Sequence, residues 1–302
     1  MKVLILIAAA GLVLTLLAWF LFFKPGPQTG ASRQPQPTPT PDADATFYAK
    51  MRELLFADMS LEEFLKEIES NKDVLKHPPP FANQSLKETL KQFENYPPKS
   101  AASDPFSLWA SSLAASQKGQ LEEAKKYLKQ VLATETESRV RLLTWKALRA
   151  LGERPSPKVA AEVQGVICEL HNEAGVGTIA AYADGRARWI GGQGAMTVWE
   201  SPGANAELSA VIREFLKSAE PLIQMTPATD KHKTAEPEMD HFRVSILTYG
   251  GIHTVEMFGP EITEGHRMAP VLITGMKLLN TLQQKSDEAE EAEKQKSKVK
   301  PH

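Results

Sequence analysis

One cysteine, Cys168, stands among 302 residues. A single thiol excludes an intrachain disulfide and excludes the cysteine-rich four-ligand zinc sites. An excess of charge is equally missing: 35 basic residues against 37 acidic ones leave a net charge of -2. A chain so balanced has no electrostatic footprint for nucleic acid, and none is expected as a partner. No nucleophile, base and acid recur here in the spacing of a catalytic set. No catalytic residue, cofactor or metal ligand is therefore assigned, and the chain is read as a binding protein rather than an enzyme.

What the chain does have is one long apolar run. Val3 to Phe23 contains neither a charge nor a proline. As a helix it would be about 31 Å long, enough to cross a hydrocarbon core of about 30 Å. Trp19 lies near one end, where an amphipathic ring favours the membrane interface. The run is longer than the apolar core of a cleaved signal, and it ends in Phe20-Leu21-Phe22-Phe23-Lys24 rather than in small residues. Residues 1–24 are thus expected to be a retained single-pass anchor. A short leading tail before a large folded part places that part outside the cytoplasm. Pro25 to Ala45 follows, with QPQPTPTPD at its centre. Repeated prolines remove backbone donors and favour an extended chain, so this segment reads as a linker.

Residues 46–154 read as a helical domain of about six short helices. Ser60 to Glu63 and Ser85 to Glu88 have the spacing of capping boxes, and Asp104-Pro105 sets a cap before a tolerated first-turn proline. The stretches PPPF at 78–81 and YPPK at 96–99 break helices. Leu108 to Ala133 resembles a single tetratricopeptide-type helix hairpin, carried by Gly119 at the turn, Ala124 after it, and Leu128 and Val131 on the same face. Leu142, Trp145 and Leu148 continue a third helix. Ser111-Ser112 departs from that pattern, and no second copy follows.

Pro155-Ser-Pro157 marks a boundary, after which the period changes from helical to alternating. Residues 155–284 are expected to form an α+β domain: an antiparallel sheet with two packed helices, in the order four strands, helix, two strands, helix. Asp184-Gly185 reads as a two-residue hairpin turn. That register sets Ala183 opposite Arg186, Tyr182 opposite Ala187, Ala181 opposite Arg188 and Ala180 opposite Trp189. Ala180, Tyr182, Ala187 and Trp189 would then share a core face. Arg186 and Arg188 would stand on an exposed, flat, basic face, the candidate contact for a protein partner. Gly191-Gly192-Gln193-Gly194 lacks the following helix that a phosphate loop needs, so it reads as a turn between strands.

Leu208, Val211, Ile212, Phe215, Ala219 and Leu222 form a helical stripe, begun by Asn205 or by Ser201-Pro202. Met225 to Asp240 is polar and reads as a mobile loop. Phe242 to Phe258 reads as a hairpin around Gly250-Gly251, with Ser245 opposite Glu256 and an exposed Arg243–Glu256 pair on the diagonal. Val271, Leu272, Gly275, Leu278, Leu279 and Leu282 mark a last helix, with Gly275 close to the sheet. Residues 285–302 read as a charged, frayed tail.

The Ala180–Gly185 hairpin AAYADG, with Val198-Trp199-Glu200 nearby, resembles an uncharacterised bacterial membrane-anchored family. The resemblance implies a shared fold and no activity. The element order is also loosely similar to profilin-like or roadblock-like modules, a likeness of fold that does not give function.

The remaining reactive groups read as structural. Cys168 alternates with Val166 and Leu170, as a buried thiol does. Asp240-His241, His253 and His266 form the one acid–histidine grouping of interest. The hairpin register sets His253 opposite Thr248, more than about 20 Å along the strand from His241, so one metal could not take both. Three readings follow, in order: a single-pass interaction or scaffold protein of the cell membrane; a small-molecule sensor with a ligand between sheet and helices; and a hydrolase using Cys168 or the histidines.

Overall fold

A computed structural model describes residues 52, 54–63, 105–134, 137–192, 196–200, 203–232 and 235–299. The expected anchor, the proline-rich linker and the Ser85–Glu88 capping box lie outside these residues. Among the described residues, no helix is long and apolar enough to cross a membrane.

Ahead of the sheet the described residues include α1 (Pro105–Gln117), α2 (Leu121–Thr134) and α3 (Ser138–Ala150). Gly119 breaks α1 from α2 at a φ of 75°. Its amide donates to Ser116 O, and the next amide, of Gln120, donates to Ala115 O, which closes the end of α1 in a Schellman arrangement. The two helices then fold back on each other. Ala124, Leu128 and Val131 are fully buried along α2, as their spacing predicts. Ser112, the departure from the tetratricopeptide pattern, is buried and donates through Oγ to Ala124 O at 3.0 Å. A hydroxyl replaces an apolar contact there and gains a partner across the hairpin. Trp109 Nε1 ties α1 to α3 by donating to Thr144 Oγ1 at 3.0 Å. Upstream, the Ser60–Glu63 capping box is formed reciprocally: Ser60 N donates to Glu63 Oε2 at 2.7 Å and Glu63 N to Ser60 Oγ at 3.1 Å.

A short turn of helix, α4 (Pro157–Ala160), leads into the sheet. The strands are β1 (Val163–Asn172), β2 (Gly175–Tyr182), β3 (Ala187–Ile190) and β4 (Met196–Trp199). After helix α5 (Ala206–Ala219) and a 3-10 turn at Glu220–Met225 come β5 (His241–Thr248) and β6 (Gly251–Phe258). Helix α6 (Ala269–Val299) closes the described chain. The sheet order is β4-β3-β2-β1-β5-β6 and every pairing is antiparallel. The expected α+β architecture, with two helices on one face, is therefore present.

Asn205 caps α5 by accepting from Leu208 N at 2.9 Å, and the whole Leu208–Leu222 stripe is buried against the sheet with α6. Gly275 serves the helix pair rather than the sheet. A side chain there would meet the Phe215 ring of α5 at 3.1 Å.

Three expectations need correction. First, the sheet has two buried faces, not one. Val166, Cys168, Val244 and Ile246 face α5 and α6, whereas Ile167, Ala180, Tyr182 and Leu247 share a second core with residues 55–61 and α1–α3. That is why β1 is buried over six consecutive residues instead of alternating. Second, the 226–240 segment is held rather than loose. Thr229 bridges to Ile252 on the β6 edge, Thr226 O meets His253 Nδ1 at 2.8 Å, and Pro237 O meets His171 Nδ1 at 2.8 Å. The segment thus passes from the α5 side of the sheet around β6 to the opposite side. Third, the charged stretch after Lys285 stays helical to Val299. Lys285 pairs with Glu288 at 2.9 Å one turn on, the kind of side-chain link that supports an exposed helix.

Candidate functional site

The face of the sheet that meets the helical layer gathers most of the buried charge. Its geometry starts at Asp184-Gly185. Only Gly185 takes positive φ, at 92°, and Tyr182 N donates to Arg186 O across the turn at 2.9 Å. The loop therefore has three residues, 183–185, with glycine in the left-handed position. The register is one residue away from the expected one: Ala181 pairs with Ala187, Ala180 with Arg188 and Ile179 with Trp189. A one-residue slip exchanges the faces. Tyr182 and Arg188 now point to the helical layer together, while Ala187 and Trp189 face α5 and α6.

Arg186 and Arg188 are accordingly not on an open basic face. Arg188 is 4% exposed. Its Nε donates to Glu200 Oε1 at 2.8 Å, and its Nη2 reaches the same oxygen. Arg186 Nε lies 3.0 Å from Glu200 Oε2, near enough for charge pairing but not aligned as a hydrogen bond. Its Nη1 pairs with Asp184 Oδ2 at 3.0 Å. From α3, Arg139 joins Glu137 at 2.5 Å and Glu200 at 3.6 Å, and it covers the Tyr182 ring at 5.5 Å. Three arginines thus meet Glu137, Asp184 and Glu200, and the formal charges cancel. Burial alone would raise the Glu200 carboxyl, but Arg188 and Arg139 outweigh it and hold the group below its ordinary value. Burial works against the Arg139 charge as well, and Glu137 and Glu200 reverse that effect, so its proton is held more tightly than usual. Burial pushes the Tyr182 phenol up to about 12, and its hydroxyl donates to Leu55 O at 2.7 Å.

A second charged row crosses the middle of the same face. Glu169 on β1 pairs with Arg243 on β5, and Arg243 pairs with Glu256 on β6. Arg243 Nε donates to Glu256 Oε2 at 3.0 Å, and Nη1 donates to Ala235 O at 2.6 Å and lies 3.5 Å from Glu169 Oε2. Arg243 is 3% exposed, so the pair expected on the surface lies inside the protein. Arg52 Nε reaches Glu169 Oε1 at 2.5 Å. Sequence reasoning passed over Glu169. Its one signal was an acid inside the otherwise apolar run Val166 to Leu170.

A third cluster fastens residues 54–63. The Asp58 carboxylate accepts from His232 N and meets His232 Nδ1, both at 2.7 Å. Lys146 Nζ donates to Asp58 O. The His232 ring stacks on Phe56 at 4.0 Å, nearly parallel. Burial raises the Asp58 carboxyl, but the His232 hydrogen bonds prevail and lower it.

Cys168 is buried on the opposite face, and burial raises its thiol well above the ordinary 9.0. It lines an apolar crevice with Gly177, Trp189 and Gly275 that has room for about one water. His253 lies opposite Ile246 rather than Thr248 and is held by Thr226 O. His241 meets Met239 O at 3.1 Å, and His266 accepts from Met268 N at 3.2 Å. The histidines are thus bound to separate backbone groups. Among the described residues no group of three or more His, Cys, Asp or Glu is placed to hold a metal ion. Neither a protein-family model, nor a curated protein, nor a solved structure matches the chain.

Proposed function

We propose that the chain is a single-pass, membrane-tethered interaction or scaffold protein of bacterial type, with its folded part outside the cytoplasm. The tether rests on the apolar run at Val3–Phe23 and the proline-rich linker behind it. On this reading the helical layer is a tetratricopeptide-like platform, and the α+β part, loosely profilin- or roadblock-like, is its base. One observation carries the interaction reading: the charges between sheet and helical layer are spent on joining the two. Asp184, Arg139, Arg188 and Glu200 fix α3 to the sheet, and Arg141 Nε fixes it again by donating to Tyr249 Oη at 2.7 Å. The α1–α2 hairpin is then held on a stiff base, and its outer side is where a partner would dock. Leu121 at the start of α2 is 47% exposed, and Lys126 is exposed farther along the same helix. Stiffness lowers the ordering cost of binding, which suits a platform.

The test uses the full-length chain. Membranes washed with carbonate should retain it with its amino terminus near Met1. Crosslinking in those membranes should join it to a defined partner, and the Leu121→Asp, Lys126→Glu double variant should lose that product while staying folded. Full release by carbonate overturns the tether. An unchanged crosslink overturns the platform.

A further inference from the structure

Two histidines on neighbouring strands are oriented by one short stretch of chain. The β1–β5 register pairs Glu169 with Arg243 and Leu170 with Phe242, and its next step sets His171 beside His241. The Asp240 amide donates to His171 O at 2.8 Å, which holds the two strands together there. Side chains alternate along a strand, so both imidazoles stand on the face that carries Glu169 and Arg243. Each Nδ1 meets a carbonyl oxygen: His171 that of Pro237 at 2.8 Å, His241 that of Met239 at 3.1 Å. A carbonyl only accepts, so each Nδ1 carries a proton, and Nε2 is the ring atom that can offer a lone pair. Glu238 stands between those two carbonyls in the chain, and its Oε2 lies 3.9 Å from His241 Nε2. Asp240, at a φ of 60°, links this stretch to β5.

We propose that His171 Nε2 and His241 Nε2, joined by Glu238, bind a divalent transition-metal ion such as Zn²⁺. A histidine that ligates a metal places its other ring N–H on a carbonyl or carboxylate, which sets both the tautomer and the direction of the free nitrogen. Residues 237–239 supply that carbonyl to both rings. Cross-strand neighbours have Cβ atoms about 4.5–5.5 Å apart, a spacing from which two imidazoles can close on one ion. Imidazole nitrogen and carboxylate oxygen bind zinc at about 2.0–2.2 Å, so two ligands of a tetrahedral ion lie roughly 3.3 Å apart. The three groups do not stand as a closed ligand set. Glu238 completes it by a small rotation toward His241, and its side chain is 85% exposed and free to turn. Both histidines are half-buried, so an ion enters from solvent. Arg243, two residues along β5, does not oppose the ion alone, because Glu169 and Glu256 pair with it. Three protein ligands leave a fourth position for water or for a group on a bound molecule. The His241 ring lies 5.6 Å from that of Phe258, and Phe258 and Met239 are exposed, so this position has an apolar rim.

The site goes beyond the interaction reading and does not depend on it. The probe is Zn²⁺ alone, titrated into the full-length chain in detergent after chelator treatment. Excess Mg²⁺ is kept present to occupy sites made only of carboxylates. Binding should saturate at one ion per chain. Side-chain nitrogen resonances in the unaltered protein supply an arm independent of any variant's folding. Nε2 of both His171 and His241 should shift with the titration, while the rings of His253 and His266, each held elsewhere by a backbone group, should not. Affinity should fall at least about tenfold in the His171→Ala chain and in the His241→Ala chain, and severalfold in Glu238→Gln, while His266→Ala leaves it unchanged. Resonances of His171 and His241 that stay in place overturn the proposal, and so does a shift of only one of them. Zn²⁺ binding of unchanged strength in both alanine variants overturns it as well, because it would mark an adventitious ion only, on other residues.

Discussion

Asp184 and Ser138 cap each other across 46 residues of sequence. The Asp184 carboxylate accepts from the Ser138 amide at 2.7 Å, at the first turn of α3, and the Ser138 hydroxyl accepts from the Asp184 amide at 3.2 Å. The hairpin turn is thereby the N-terminal cap of a helix in the other layer. An acid at that position satisfies an open amide and favours the helix dipole. The same carboxylate also accepts from Arg186 N at 3.0 Å, so one side chain sets the turn and docks the helix.

Asp184→Ala should therefore destabilise by more than a local turn substitution would. A lost cap costs about 1 kcal/mol, and an arginine left short of a partner adds to it, so about 2–3 kcal/mol is expected. Asp184→Asn keeps the acceptor and should cost about half as much. Urea unfolding of both variants checks the order. Equal, near-zero effects would mean that the contact between turn and helix does not hold the layers together.

The two hairpins show what was legible in the sequence and what was not. Both turns lie within one residue of the expected place, but both registers were missed, with different consequences. Around Gly250 the strands pair Ser245 with Thr254 instead of Glu256, a shift of two. Side chains alternate, so an even shift keeps every residue on its face, and Val244, Ile246, Val255 and Met257 do share the α5–α6 core or pack on it. Around Gly185 the shift is one, and Arg188 moved from an expected surface into the interior. Local signals fixed the cap at Asn205, the Ser60 capping box and the hairpin at Gly119, because each depends on neighbours in the chain. The second core was invisible, because it depends on helices docking from far away in sequence. Glu169 could not be recognised as part of a charged row without knowing that Arg243 and Arg52 arrive beside it.

The buried carboxylates predict an acid-labile fold. Glu200 and Asp58 have folded-state values below their ordinary 4.5 and 3.8. Between the folded and the ordinary value the unfolded chain binds more protons. The stability these groups give is thus present above their ordinary values and is lost as pH falls through the folded ones. Urea unfolding at pH 3 to 6 should give a free energy that is level above about pH 5 and falls below pH 4.5. Glu200→Gln should flatten part of that fall and lower stability at neutral pH by about 3 kcal/mol, since it strands Arg188 and Arg139. Stability that rises on acidification would contradict the assignment.

Cys168 should behave as core. It is buried among Val166, Leu170 and the two helices on the α5–α6 face, and its thiol is held protonated by burial. A thiol reagent at pH 8 should label it only after denaturant is added, because the thiolate is the reactive form. Cys168→Ala should cost about 1 kcal/mol through lost packing. Fast labelling of the folded protein would place the thiol in an open, electropositive setting that the packing does not provide.

Arg186 and Arg188, two positions apart and both reaching Glu200, should respond unequally to the same substitution. The Arg188 side chain is buried, and Arg188→Ala would leave Glu200 without its doubly bonded partner, so about 3 kcal/mol or more should be lost. The Arg186 side chain is 21% exposed and its acids have other cations nearby, so Arg186→Ala should cost only about 1 kcal/mol. The two sites share Glu200, so the double variant should depart from the sum of the singles. Thermal or urea unfolding of the three variants reads all of this. If both single substitutions fell within about 0.5 kcal/mol of the unaltered protein, as exposed arginines do, then the face would be open and the sheet register in this region would be wrong.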